Sequence, residues 1–415
     1  MYNYKLNFIC CFLTLFLVVT TSLLAQNNTN SPYTRFGYGE LVDAGLSAHK
    51  SMGGIAFGVR TPSGINPANP ASYTSADSLS FLFDFGAGGR LSHFSQTDGL
   101  KKTTFTGNID HIALAFPITK WMAISGGILP YSTAGYSFSM RDSVESFPDS
   151  KQWARYSQSF IGYGGINQVY LGLGAKFFNR VAIGVNVSYM FGYLTNAQTL
   201  TFESAGIADS YRNTEIRVGS INLRYGLQTF HTFNQAHTVT LGGIFEMKSN
   251  LNGNAQIDIT DIKPDTLDKK FEIPMIYGAG LSYSYKNRLM VGVDFMQQRW
   301  SDALFFGVKD SLHNRTKLAI GGEYRHNPVS KRFLERLTYR AGLNYATSYI
   351  LQSGGDMSVS LGFGIPLRTT RTILNVGFEY GRMGLGAQRS IKEELFKINL
   401  GVALNEFWFY KRKFE

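Results

Sequence analysis

From about Ser78 onward, apolar and small or polar residues alternate one by one. That is the period of a strand with two unlike faces, and it constrains this chain more than any other feature. Leu79, Phe81, Phe83 and Phe85 share one face, with Ser80, Leu82, Asp84 and Gly86 on the other. The pattern returns with Ile112, Leu114 and Phe116 against Ala113 and Ala115, and with Val181, Ile183, Val185, Val187 and Tyr189 against Ala182, Gly184, Asn186 and Ser188. It closes the chain with Ile398, Leu400, Val402 and Leu404 against Lys397, Asn399, Gly401 and Ala403. Residues 78–415 hold about fourteen such runs.

The face opposite the apolar stripe separates a soluble sandwich from a membrane barrel. A soluble sheet of this size would carry dense Lys and Glu there. Here those positions are mostly Gly, Ala, Ser and Asn, in a chain with 44 Gly and only 17% charged residues. Such residues suit a crowded lumen, which leaves the apolar stripe to lipid. No second stretch approaches the ~20 consecutive apolar residues of a spanning helix, which excludes a helical bundle.

Connections between runs alternate in length. Segments 91–104, 141–165, 193–214, 248–272, 299–313, 347–356 and 381–394 read as long loops, and 117–120, 177–180, 284–288 and 366–372 as short turns. Long loops on one side and short turns on the other are the outer-membrane arrangement, with the short turns and both termini in the periplasm. The fold expected is therefore an all-β, antiparallel transmembrane barrel of about fourteen strands, surrounded by outer-membrane lipids and lipopolysaccharide. Charge sorts the same way. The short-turn side carries Lys120, Lys176, Arg180, Arg288, Lys331, Arg332, Arg336, Arg368 and Arg371, and the long loops carry most acids. Anionic phospholipid heads of the inner leaflet explain such a basic rim; a protein partner on the periplasmic side is the alternative.

Residues 1–25 read as a secretory signal peptide, with Lys5 before an apolar run from Phe8 to Val19 and Ser22-Leu23-Leu24-Ala25 before Gln26. Cys10 and Cys11, the only cysteines, lie inside it, so the mature chain offers no disulfide or thiolate chemistry. The net charge of +11 comes without a basic helix or motif, and nucleic acid is not expected as a partner. No cofactor is expected either.

Residues 26–77 do not read as strands. Their Gly, Pro and aromatic content and the paired Asn66-Pro67-Ala68 and Asn69-Pro70-Ala71 turns point to a plug in the lumen. On the wall, Asp84, Arg224, Glu246, Asp294, Glu323, Arg340, Glu379 and Lys397 fall opposite the apolar stripe and should face inward, paired. The seven histidines sit in no catalytic or metal-binding frame, so neither an enzyme nor a metal site is expected. His111 follows Asp110 directly, and strand neighbours point to opposite faces, which argues against a dyad there. The last strand ends in Phe407-Trp408-Phe409-Tyr410, placed for an interfacial aromatic girdle. It resembles the terminal signal read by the barrel-assembly machinery during insertion.

Gly45-Leu46-Ser47, Gly53-Gly54-Ile55-Ala56 and the Asn-Pro-Ala pair resemble the N-terminal hatch of the FadL-type long-chain fatty-acid transporters. Ile273-Pro274, Gly280-Leu281-Ser282-Tyr283, Arg288-Leu289, Asp294 and Trp300 resemble a strand pair of that family, and Arg340-Ala341-Gly342-Leu343-Asn344-Tyr345 a third element. The resemblance implies a plugged fourteen-stranded barrel and, as in characterised members, passage of a hydrophobic small molecule. The wider group includes the outer-membrane shuttle protein of type IX secretion, which binds proteins. The function expected is a conduit for hydrophobic small molecules across the outer membrane; the alternative is a noncatalytic structural or adaptor subunit of an outer-membrane assembly or secretion complex.

Overall fold

The computed structural model describes residues 29–96, 99–145, 153–203, 208–267, 269–328, 330–350, 354–367, 371–385 and 391–407. Residues 1–25, expected from the sequence to be a signal peptide, Arg368 and Trp408-Phe409-Tyr410 lie outside them. The N-terminal segment holds a two-residue strand, β1 (Glu40–Leu41), a helical turn at Ser47–Lys50 and 3-10 turns at Pro32–Arg35 and Pro70–Ser75. Seven strands follow: β2 (Ser80–Gln96), β3 (Lys101–Pro117), β4 (Met122–Glu145), β5 (Trp153–Phe177), β6 (Val181–Phe202), β7 (Ser210–Phe233) and β8 (His237–Glu246). An excursion at the long-loop rim comprises β9 (Ser249–Ile259), β10 (Ile262–Leu267) and β11 (Phe271–Ile273). Seven more complete the wall: β12 (Ile276–Tyr285), β13 (Leu289–Gln298), β14 (Arg315–Arg325), β15 (Thr338–Thr347), β16 (Gly355–Pro366), β17 (Ile373–Leu385) and β18 (Ile391–Phe407).

Every pairing is antiparallel, β8 passes directly to β12, and β18 pairs with β2 from Ile391–Gln96 to Phe407–Ser80. The wall is thus a closed ring of fourteen strands, β2–β8 and β12–β18. Closure is a requirement in hydrocarbon, where an unpaired backbone group costs several kcal/mol. The two faces obey the alternation: Leu171 is 60% exposed on the outside, while Ala182 is fully buried and Asn186 buried beside it.

Much of what reads as long loop is strand. β4 to β7 run for 22–25 residues each, well past the 9–11 needed to cross a bilayer. β2 runs to Gln96 and stays paired with β3 as far as Ser95–Lys101, and 248–272 holds β9 to β11. Beyond the bilayer both strand faces meet water, so alternation stops although pairing continues.

The ring has one irregular seam. β3 and β4 pair only from Ile112–Ile128 to Pro117–Ala123, whereas β3 stays on β2 as far as Ser95–Lys101. Above the seam β4 carries a bulge between Pro130 and Ser132, and proline, which has no N–H to donate, is confined to such places. There β1 takes the edge that β3 has left: Glu40 lies opposite Thr133, Leu41 opposite Ser132, and the Val42 N–H donates to the Tyr131 carbonyl at 2.9 Å.

Candidate functional site

The most concentrated chemistry lies where the N-terminal segment meets the wall. Ser31 donates to Glu393 of β18, Thr34 to the Gly135 carbonyl of β4, and Tyr73 to Asn186 of β6. The Gly53 N–H donates to Ser360 of β16, and Lys50 lies 2.8 Å from Asp110 of β3. A segment that touches β3, β4, β6, β16 and β18 in turn reaches them all only from inside the ring.

The two Asn-Pro-Ala turns are the tightest part of this interface. Asn66 is buried and donates to the Ala56 and Val59 carbonyls. Pro67 offers its carbonyl to Asn186 at 3.0 Å, and Ala68 packs with Phe57 and Ile244. Asn69, fully buried, donates to Phe57 of its own segment and to Leu227 and Gly243 of the wall, and its Oδ1 caps the turn at Ala71. The extended backbone that Pro70 imposes on Asn69 sets this geometry. Wall glycines make room. A Cβ on Gly226 would sit 2.2 Å from Asn69 Oδ1, and one on Gly242 would sit 1.8 Å from the Phe57 carbonyl.

The eight wall charges singled out from the sequence fall into five groups. Asp294 Oδ2 accepts the Ala56 and Phe57 amides at 2.6 and 2.8 Å, holding the segment directly. Arg224 pairs with Glu246, which also accepts from Asn222. Glu323 bonds Arg340 at 2.9 Å, and Arg340 donates on to Asn375. Lys397 lies between Glu379 and Glu40. Asp84, the eighth, bonds His111 Nε2 at 2.8 Å.

That last contact corrects the reading of Asp110 and His111. A bulge opposite Gly86 and Ala87 inserts one residue, so both neighbours turn inward, buried at 7% and 2% exposure. Each takes a different partner, His111 the Asp84 carboxylate and Asp110 the Lys50 ammonium. No hydroxyl or thiol nucleophile contacts His111 among the described residues.

Other partners were not visible in the sequence. Arg90 joins Glu40 to Glu393, and Lys317 holds Asp43. Arg90 does fall opposite Leu91 in the alternation, the signal that could have found it. Burial raises the Glu40 carboxyl, but the Arg90 and Lys397 cations beside it outweigh that and hold it at about 2. The same competition, with Lys317 and Arg315 as the cations, holds Asp43 at about 2. Burial, with Arg340 nearby, lowers His49 to about 4.

At the long-loop end the lumen is roofed by aromatic rings. Trp300 lies 5.6 Å from Tyr38 and 4.9 Å from Tyr349, and Phe305 meets Tyr38 edge-on at 5.1 Å. Beneath this roof a cavity of about 200 Å3 is bordered by Glu40, Asp43, Lys50, Lys317, Glu379 and Lys397. These groups are largely paired with one another or with the wall, and Leu41, Val42, Ile350, Met383 and Leu395 supply apolar wall between them.

The BamG family model matches residues 8–415. The chain belongs to the BamG family. No curated protein sequence matches it. Solved structures show where the BamG fold sits: a Pseudomonas aeruginosa FadL homologue superposes with a TM-score of 0.58 at 13% identity, over 88% of this chain and 99% of that one. The CymD monoaromatic hydrocarbon channel and the P. putida toluene transporter TodX each give 0.59 at 14% identity, over 89% of this chain and 100% of theirs. This BamG chain is therefore an outer-membrane β-barrel of FadL-type fold, as its sequence motifs imply.

Proposed function

We propose that this BamG-family barrel is a noncatalytic adaptor subunit of an outer-membrane assembly complex, with residues 26–77 as a fixed lumen plug and residues 1–25 as a cleaved signal peptide. The observation that carries the reading is the lumen. The plug is hydrogen-bonded and ion-paired to strands all round the ring, an aromatic roof lies above it, and the cavity between is bordered by charge. A hydrophobic cargo there would have to displace the water that still reaches those ion pairs, and would offer them no hydrogen bond in return. A barrel filled in this way has no open bore among the described residues, and its rims and outer surfaces are left for work. The family's name, that of a barrel-assembly component, supports the same reading.

The test is co-purification. The tagged chain, extracted in mild detergent, should bring down outer-membrane or periplasmic proteins in stoichiometric amount, as identified by mass spectrometry. Recovery of lipids or hydrophobic small molecules alone would overturn the adaptor reading.

One observation favours a conduit. β3 and β4 part beside the outward-facing Phe105 and Ile109, in the band that meets lipid. A hydrophobic molecule could leave sideways there, and two of the structural neighbours are described as a hydrocarbon channel and a toluene transporter. Faster toluene entry into proteoliposomes carrying the chain than into empty ones would decide for that reading.

A further inference from the structure

At the short-turn end, the side the sequence places in the periplasm, the lumen opens into a second cavity of about 360 Å3. Its size falls within the roughly 300–1,000 Å3 of ordinary ligand sites. Its floor is the N-terminal segment around Arg60, and its sides are the turn-proximal ends of β7, β8 and β12 to β18. Five arginines line it, Arg60, Arg288, Arg325, Arg336 and Arg371, against two acids, Asp77 and Glu323.

Most of the balance is already spoken for. Glu323 is engaged by Arg340 and by Arg325. Arg60 donates to Gln228 and Thr74 and stacks on Phe230. Arg288, Arg336 and Arg371 remain, with no ion pair among the described residues. Arg371 is held in place, its guanidinium 3.7 Å above the Phe407 ring. Nε of Arg336 and Nη1 of Arg371 are shut off from solvent with no hydrogen-bond partner among the described residues. A buried donor left unpaired costs about 1–3 kcal/mol, more when charged, so an acceptor brought into this cavity would recover that cost.

We infer that this vestibule is a docking site for an acidic, extended segment of a periplasmic protein, whose carboxylates accept from Arg288, Arg336 and Arg371. Phospholipid heads surround the barrel from outside, whereas the cavity opens into the mouth of the bore, which only a solute or a peptide enters. The choice of a protein as occupant rests on the adaptor reading. The cavity and its free guanidinium groups do not.

The full-length mature chain in nonionic detergent, with fluorescent Ser-Glu and Ser-Gln repeat octapeptides as probes, tests this by anisotropy. The Glu peptide should bind about tenfold more tightly than the Gln peptide, and added salt should weaken it. R336Q/R371Q should lose about tenfold, with R288Q as a second variant in the same direction, while the exposed rim pair K120Q/R180Q stays within about twofold. Unchanged heat-modifiable mobility confirms that each variant folds. Equal binding of the two peptides, equal loss in the rim pair, or displacement of the Glu peptide by phosphatidylglycerol vesicles would each overturn the inference. The assay uses the isolated chain, so a failure to co-purify partners and a failure to bind the peptide are separate results.

Discussion

The Lys50 ammonium lies 2.8 Å from the Asp110 carboxylate, joining the helical turn of the N-terminal segment to the residue that a bulge adds to β3. The ion pair therefore ties the N-terminal segment to β3, one of the two strands that part at the seam. Both partners are largely buried, at 18% and 8% side-chain exposure, so removing one leaves the other charge stranded. Such a loss typically costs about 3–5 kcal/mol.

Lys50→Gln should accordingly loosen the segment and expose it to protease, read as cleavage between residues 50 and 77. The double variant K50Q/D110N should be cleaved more slowly than K50Q, because no buried charge is left alone. Equal cleavage of the two variants would show that the pair does not couple plug and wall.

Asp294 accepts two consecutive backbone amides, those of Ala56 and Phe57. Asp294→Ala strands both, at about 1–3 kcal/mol each, and should lower the temperature of the heat-modifiability transition. Asp294→Asn keeps an acceptor and should fall between wild type and alanine. An alanine variant that melts like wild type would mean other contacts hold this turn.

Attachment of the N-terminal segment should depend on pH, with a sign set by three groups. His49 falls to about 4 from 6.5, Glu40 to about 2 from 4.5, and Asp43 to about 2 from 3.8. Each folded value is below the unfolded one, so the released segment binds protons more readily and acid favours release. Attachment should be complete above pH 6.5, weaken first through His49 as pH falls to 4, and then through the carboxylates down to 2. Protease sensitivity of the segment across that range measures it; a flat profile would contradict the pairing.

Single cysteines at Asn252 or Ser311, both exposed at the long-loop end, should react with an impermeant thiol reagent on intact cells. Cysteines at Lys120 or Asn287 should react only after lysis. The reverse pattern would invert the barrel in the membrane and move the arginine vestibule to the outside.

Leu171 stands on the outer face at 60% exposure. Leu171→Lys puts a cation against lipid, at about 2–4 kcal/mol near the midplane, and should reduce assembled barrel. Replacing Gly172, whose Cβ would meet Asn186 and Tyr73, tests the other face by crowding the N-terminal segment. Undiminished assembly of L171K would place that residue outside the lipid band.

The strand faces were legible because lipid on one side and a packed lumen on the other impose a period of two, as at Ile183 against Ala182. The upper halves of β5 and β6 were not. Ser157, Gln158 and Ser159, or Asn196, Gln198 and Thr199, pair as strand but offer no apolar stripe once they leave the bilayer. The bulge at Asp110 was hidden for another reason, since one inserted residue changes which way side chains point without changing local composition. The contacts of the Asn-Pro-Ala turns are long-range: Asn69 meets Leu227 across 158 positions, and no local pattern carries that information.

The unequal strand lengths give the barrel a bearing as well as an up and a down. β5 has 25 residues and β12 only 10, so at roughly 3.3 Å per residue one arc of the wall rises far above the other. A cylinder of even height looks alike to neighbours approaching in the bilayer plane from any direction. This one presents a parapet on the β4 to β7 arc and a lower strand rim on the β12 to β15 arc, so a neighbour that reaches over the top meets a different height on each side. The molecule's rotation about the membrane normal is then fixed relative to that neighbour before any side chain is read.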